Sequence, residues 1–89
     1  MEKIIRRATA GTLESSDVFV TLEPGEGLEI EIDSVVQKQF GDSIRRSVEE
    51  VLAELDVHNA RLSIVDRGAL DCVIRARVET AVLRGKEEG

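Results

Sequence analysis

Leu28-Glu29-Ile30-Glu31-Ile32-Asp33 alternates without a fault, three aliphatic residues to one side and three acids to the other. A period of two marks a strand with one face on a core and the other in water. The period then changes. Phe40, Ile44, Val48, Val51, Leu52 and Leu55 recur at helical spacing, with Arg45, Arg46, Glu49, Glu50 and Glu54 opposite them. A half-wet strand followed by an amphipathic helix predicts a helix lying across one face of a sheet. Val35 to Gln39 reads as an extension of either element. Gly41 favours a boundary there, which puts Asp42 in the first helical turn, near the positive end of the helix dipole. Glu49 and Glu50 follow Arg45 and Arg46 by four residues, the spacing of weak surface ion pairs. The three acids of the strand stand about 7 Å apart, too far for one tight cation site, and read as a solvated face.

Upstream, Pro24-Gly25-Glu26-Gly27 is a turn. Before it, Thr9–Leu13 and Asp17–Glu23 read as two strands about the polar turn Glu14-Ser15-Ser16-Asp17. Val18, Val20 and Leu22 form the inner face of the second strand. Phe19 breaks its outward polarity, as a residue covering a sheet edge or a partner surface would. Downstream, Arg61–Asp66 reads as a strand and Arg67-Gly68 as a turn. From Leu70 two patterns compete. A helix gives the stripe Leu70, Ile74, Val78, Ala81 but draws Arg77 into it; a strand over Cys72–Glu79 points Arg75 and Arg77 outward together. The strand is preferred, with a helical turn after Thr80. The expected fold is α+β: a small two-layer domain, a mostly antiparallel sheet with one long helix packed on one face.

Eighty-nine residues form one domain, 1–89, with Lys86–Gly89 a frayed tail. A chain of this size buries roughly 60 to 65% of its unfolded surface. Its core is aliphatic, since it has two Phe and neither Tyr nor Trp. So few walls favour a module that presents a group over an enzyme that encloses one. A net charge of −6, without a basic stripe or stacking aromatics, argues against nucleic acid. An acidic surface suits basic patches on partner proteins, or solubility alone. One Cys and one His make no disulfide and no zinc cage. No apolar run has the length of a membrane span. Met1 to Arg7 is no signal peptide, so the expected location is the cytoplasm.

No catalytic residue is expected. A nucleophilic serine needs a base and a group to orient it. His58, in the polar loop Asp56-Val57-His58-Asn59, is the one histidine, and no serine has a G-x-S-x-G setting. His58 reads as a surface loop residue. Cys72, in phase with Ile74 and Ala76, reads as a small buried residue. No phosphate-binding glycine loop is present. What remains is a pair of exposed hydroxyls, Ser15 and Ser16, which taken alone are ordinary turn residues.

Gly11-Thr12-Leu13-Glu14-Ser15 with Asp17, then Lys38-Gln39-Phe40-Gly41-Asp42 with Ile44-Arg45, then Gly68-Ala69-Leu70-Asp71-Cys72 with Arg75-Ala76-Arg77 lie in order along nearly the whole chain. Together they resemble the citrate lyase acyl carrier protein (gamma subunit) family. The resemblance implies that Ser15 carries 2'-(5''-phosphoribosyl)-3'-dephospho-CoA through a phosphodiester. The thiol of that group holds acetyl and citryl thioesters while citrate is cleaved to acetate and oxaloacetate. It implies as partners an alpha subunit (acyl transferase), a beta subunit (citryl lyase) and a prosthetic-group transferase. Metal is expected in the lyase step and not on this chain. Ser16 stands where that family would more readily have Gly, and is the second choice for attachment. Glu14 and Asp17 are candidates for orienting the attaching enzyme. The alternatives are a malonate decarboxylase carrier subunit, which uses a similar arm, and an unmodified structural or regulatory subunit that only docks.

Overall fold

The computed structural model describes residues 3–86. Four strands and two helices follow in the order β1 (Ala8–Gly11), β2 (Val18–Glu23), β3 (Leu28–Ser34), α1 (Gln37–Glu54), β4 (Ala60–Asp66), α2 (Asp71–Lys86). The sheet order is β1-β2-β4-β3. β1 with β2 and β2 with β4 are antiparallel; β3 with β4 is parallel. The sheet is thus mixed. Parallel neighbours need a long crossover, and α1 is that crossover.

Both helices pack on one face. The rows Ala8–Leu22–Leu62–Ile30 and Ala10–Val20–Ile64–Ile32 cross the sheet under them. Val18, Val20, Leu22, Ile64, Val48, Leu52, Val78 and Val82 are wholly enclosed. The other face is polar: Glu23, Arg61 and Glu29 in one row, Thr9, Thr21, Ser63 and Glu31 in the next. Phe19 lies on that face opposite Val65, half-buried. The alternation in β3 is as expected, with Glu29, Glu31 and Asp33 exposed.

α1 begins earlier than Gly41 suggests. Val36 N–H donates to Ser34 Oγ at 3.1 Å, and the carbonyl of Val36 accepts from Phe40 N–H at 2.9 Å. Val35-Val36 thus form the turn that leads from β3 into the helix. Gly41 costs about 1 kcal/mol against Ala but does not stop a helix whose other residues pack. Asp42 therefore falls in the second turn, and the first turn has no acid. Phe40 heads the stripe but stays half-exposed.

The last segment is a helix, which corrects the expectation of a strand over Cys72–Glu79. Ile74, Val78, Ala81, Val82 and Gly85 make its buried stripe, spaced four, three, one and three residues apart. Two physical facts reverse the period-two reading. Arg77 belongs on the helical stripe because its guanidinium has a partner at the sheet edge, Asp17. Arg75, on a different flank, pairs with Asp71 at 2.8 Å and with Glu50 of α1. Glu50 is thus engaged between the helices. Cys72 lies on the outer side of α2 and is exposed, so its assignment to the core is also corrected. Lys86 is no frayed end: it closes α2 and donates to the carbonyl of Leu55 at 3.2 Å. The rest of the expected tail lies outside the described residues.

Candidate functional site

One end of the sheet gathers the loop Thr12–Asp17, the start of α1, and the β4–α2 connection Arg67–Leu70. Ser15 and Ser16 are exposed at the tip of that loop. Asp17 N–H donates to the carbonyl of Glu14 at 3.1 Å, closing a four-residue turn with the serines at its centre. Ser16 has φ 66. A positive φ at the third residue of a turn favours Gly, which explains why Gly is the residue one expects there. Ser16 N–H donates to the carbonyl of Arg67, and Arg67 N–H to the carbonyl of Asp17, both at 2.9 Å. The pairing of β2 with β4 therefore runs on into the loop, and Ser15 stands just beyond the last residue it holds.

Asp17 is the centre of the brace. Thr12 Oγ1 donates to its Oδ2 at 2.7 Å, and Val18 N–H to its Oδ1 at 2.8 Å. Arg77 forks onto both oxygens, Nε at 3.1 Å and Nη2 at 3.2 Å. The Thr12 hydroxyl, the Val18 N–H and Arg77 all favour the charged form and outweigh desolvation, so the carboxyl is lowered from 3.8 to about 2. Its side chain is only 15% exposed. A carboxylate so engaged leaves little to offer an incoming enzyme: Asp17 shapes the loop, while Glu14 remains exposed. Gly11, at φ 88, lets the chain enter the loop; a Cβ there would stand 1.8 Å from the carbonyl oxygen of Val18.

The braces of α2 are also local. Ser47 Oγ donates to Asp71 Oδ1, and that bond and Arg75 hold the Asp71 carboxyl below its ordinary value. Asp66 is buried at the end of β4. Its oxygens accept from Ser34 Oγ at 2.8 Å and Ala69 N–H at 2.9 Å, which sets the course of the connection to α2.

The sequence placed both serines on an exposed turn, and the structure agrees. His58 lies in a surface loop as expected, its Nε2 2.7 Å from Asp56 Oδ1. Arg77 was missed. Its signal was the rejected helical stripe that contains it, and a strand would have carried its side chain away from Asp17.

The exposed serine turn is thus anchored to a small α+β domain through Asp17, which Thr12 and Arg77 hold. A family model described as the malonate decarboxylase delta subunit (MdcD) matches residues 5–85. A citrate lyase acyl carrier protein of Cronobacter sakazakii is 58% identical over 96% of this chain and 89% of its own length. One of Treponema denticola is 50% identical over 97% of this chain and 99% of its own. A crystal structure of a Pseudomonas malonate decarboxylase hetero-tetramer contains a chain of the same fold, with a TM-score of 0.79 and 25% identity over 94% of this chain and 91% of that one. The chain belongs to the citrate lyase acyl carrier protein family.

Proposed function

We propose that the chain is the acyl carrier subunit of citrate lyase, with Ser15 Oγ as the atom that carries the prosthetic group. The observation that carries this reading is the place of Ser15: exposed, at the centre of a turn fixed by Asp17, Thr12 and Arg77, in a chain with relatives of that name. The surroundings fit a phosphodiester-linked group. The hydroxyl is accessible from solvent, Arg67 is exposed beside the turn, and the neighbouring Asp17 charge is compensated by Arg77. Ser16 is exposed too, but its backbone is held by Arg67 in a left-handed conformation. Ser15 is preferred as the residue at the end of the Gly-Thr-Leu-Glu-Ser motif.

The group, a phosphoribosyl dephospho-coenzyme A, supplies a thiol, which activates an acyl group because thiolate is a good leaving group. The residues of this chain present and orient. The brace keeps the Ser15 hydroxyl outward for the transferase that attaches the group. Tethering then raises the local concentration of the cargo at two successive active sites. Those sites belong to the alpha and beta subunits, in the cytoplasm. No helix among the described residues is long and apolar enough to cross a membrane.

Coexpression with the attaching enzyme and peptide mass mapping test the assignment. The adduct is expected on Ser15 and absent from Ser15→Ala. Full modification of Ser15→Ala moves the site to Ser16, and an unmodified chain in an active native complex ends the carrier reading. The malonate decarboxylase likeness supports a second reading, a carrier for that enzyme, and co-purification of the native complex distinguishes them by the partner subunits recovered.

A further inference from the structure

β3 lies at an edge of the sheet, with β4 on one side and no strand of the described residues on the other. It pairs with β4 in one continuous register over all seven of its residues and contains no Pro. Gly27 C=O accepts from Ala60 N–H, and Val35 N–H donates to Asp66 C=O. The ladder uses the backbone of every second residue, so Glu29, Glu31 and Asp33 bond to β4 like Gly27 and Val35. Leu28, Ile30 and Ile32 therefore turn their N–H and C=O groups away from the sheet, and among the described residues none takes them up. The opposite edge is closed differently. β1 has only four residues, and Arg84 Nη1 donates to its Thr9 carbonyl at 2.8 Å. A long unpaired edge is a template for another strand, and proteins shorten, cover or charge such edges. β3 is long and uncovered, and it is charged on one face only. Glu29, Glu31 and Asp33 stand exposed on the open face of the sheet, and no cation of the described residues pairs with them. On the helix side Leu28 is 43% exposed, and Ile30 and Ile32 are only partly covered.

We propose that β3 is a docking edge for an extended segment of another protein, with Lys or Arg at every second residue and aliphatic residues between, which adds a fifth strand to the sheet. Shape and charge choose the occupant. The outward backbone groups of Leu28, Ile30 and Ile32 give main-chain hydrogen bonds to a strand. Alternate side chains of any strand are about 7 Å apart, so a row of cations on the incoming strand matches the row Glu29, Glu31, Asp33 residue for residue. Opposite charges facing each other across two strands stabilise the pair. The same acids turn away a second copy of this chain. In the register that keeps both open faces on one side, β3 against β3 sets acids opposite acids, which is destabilising. Attraction and rejection come from one row of side chains, and together they give specificity. The incoming strand lies three strand spacings, about 14 Å, from β2, so it holds the domain without covering the serine turn. This inference does not depend on the role of Ser15.

The test titrates the full chain with a short capped peptide of alternating lysine and valine, followed by amide NMR and hydrogen exchange. Binding shifts the amides of Leu28, Ile30 and Ile32 and slows their exchange, while those of Ser15 and Ser16 stay as they are. Two further peptides carry N-methyl groups, one on every lysine amide and one on every valine amide. Only one edge of an added strand meets β3, so one methylated peptide binds like the parent and the other does not. Glu31→Gln, at an exposed position, weakens binding about 1.4- to 5-fold, the worth of one cross-strand pair. Well-dispersed spectra establish that the variant folds. A peptide with glutamate in place of lysine does not bind. Equal binding of both methylated peptides, with exchange in β3 unchanged, is charge attraction alone and overturns the proposal. No binding of the parent peptide at millimolar concentration also overturns it and leaves the acids as guards of the edge. Self-association of the free chain with protection of Leu28, Ile30 and Ile32, read by sedimentation and exchange, overturns it by making a second copy the occupant.

Discussion

Ser16 occupies a backbone conformation that its Cβ disfavours, at φ 66 in the middle of the Glu14–Asp17 turn. Ser16→Gly removes that strain at the cost of a more flexible unfolded chain, and the balance is a stabilisation of about 0.5–1 kcal/mol, read from urea denaturation midpoints. The proposed modification of Ser15 is expected to occur in that variant too. Asp17 gives a second prediction. Its folded pKa of about 2 lies below the ordinary 3.8, so its contribution to stability is complete above pH 4 and is lost as pH falls toward 2. The difference in melting temperature between the wild type and Asp17→Asn is therefore widest at neutral pH and closes between pH 4 and 2. At this scale the exposure of the serines and of His58 was legible, because turn chemistry is local. The roles of Asp17 and Cys72 were not. Asp17 looks free for docking until α2 is placed over it, and Cys72 looks buried only if its segment is a strand.

Five of the six elements could be read from periodicity, with ends displaced by a few residues. β3, α1 and β4 announce themselves because each carries one clean period. α2 does not, because Arg77 falls within its helical stripe, whereas Arg75 and Arg77 alternate neatly in a strand. Each arginine has a tertiary partner, Glu50 or Asp17, and a partner distant in sequence leaves no local mark. The helix makes a direct prediction. Ala76 is exposed on α2, and its carbonyl accepts from Thr80 Oγ1 at 2.9 Å. Ala76→Pro removes a backbone donor and clashes with the preceding turn, so a loss of about 3 kcal/mol or more is expected in chemical denaturation. The parallel pairing of β3 with β4 follows from the helix between them; with β1–β2 and β2–β4 antiparallel, the sheet is mostly antiparallel, as expected.

The whole molecule has a single aliphatic core shared by both helices and the sheet. A domain of this length has a net stability on the order of 5–12 kcal/mol. Leu52 of α1 is completely enclosed, so Leu52→Ala is expected to cost about 2–5 kcal/mol. Circular dichroism and NMR melting curves should shift together, because no part of the core is independent of the rest. Separate transitions for the two helices would contradict this. The charge distribution is also a property of the whole. β3 exposes Glu29, Glu31 and Asp33, while the serine turn and the starts of both helices share one end of the sheet. The acidic flank and the serine turn are therefore separate parts of the surface.

Arg77 reaches the Ser15 loop from sixty positions further along the chain. On a ribosome, the residues that form the turn emerge well before their clamp, Arg77. A nascent or truncated polypeptide that stops before Arg77 has the residues of the turn without the guanidinium that braces Asp17. The shape of that turn is thus settled only once α2 exists, whatever the order in which the rest of the chain folds.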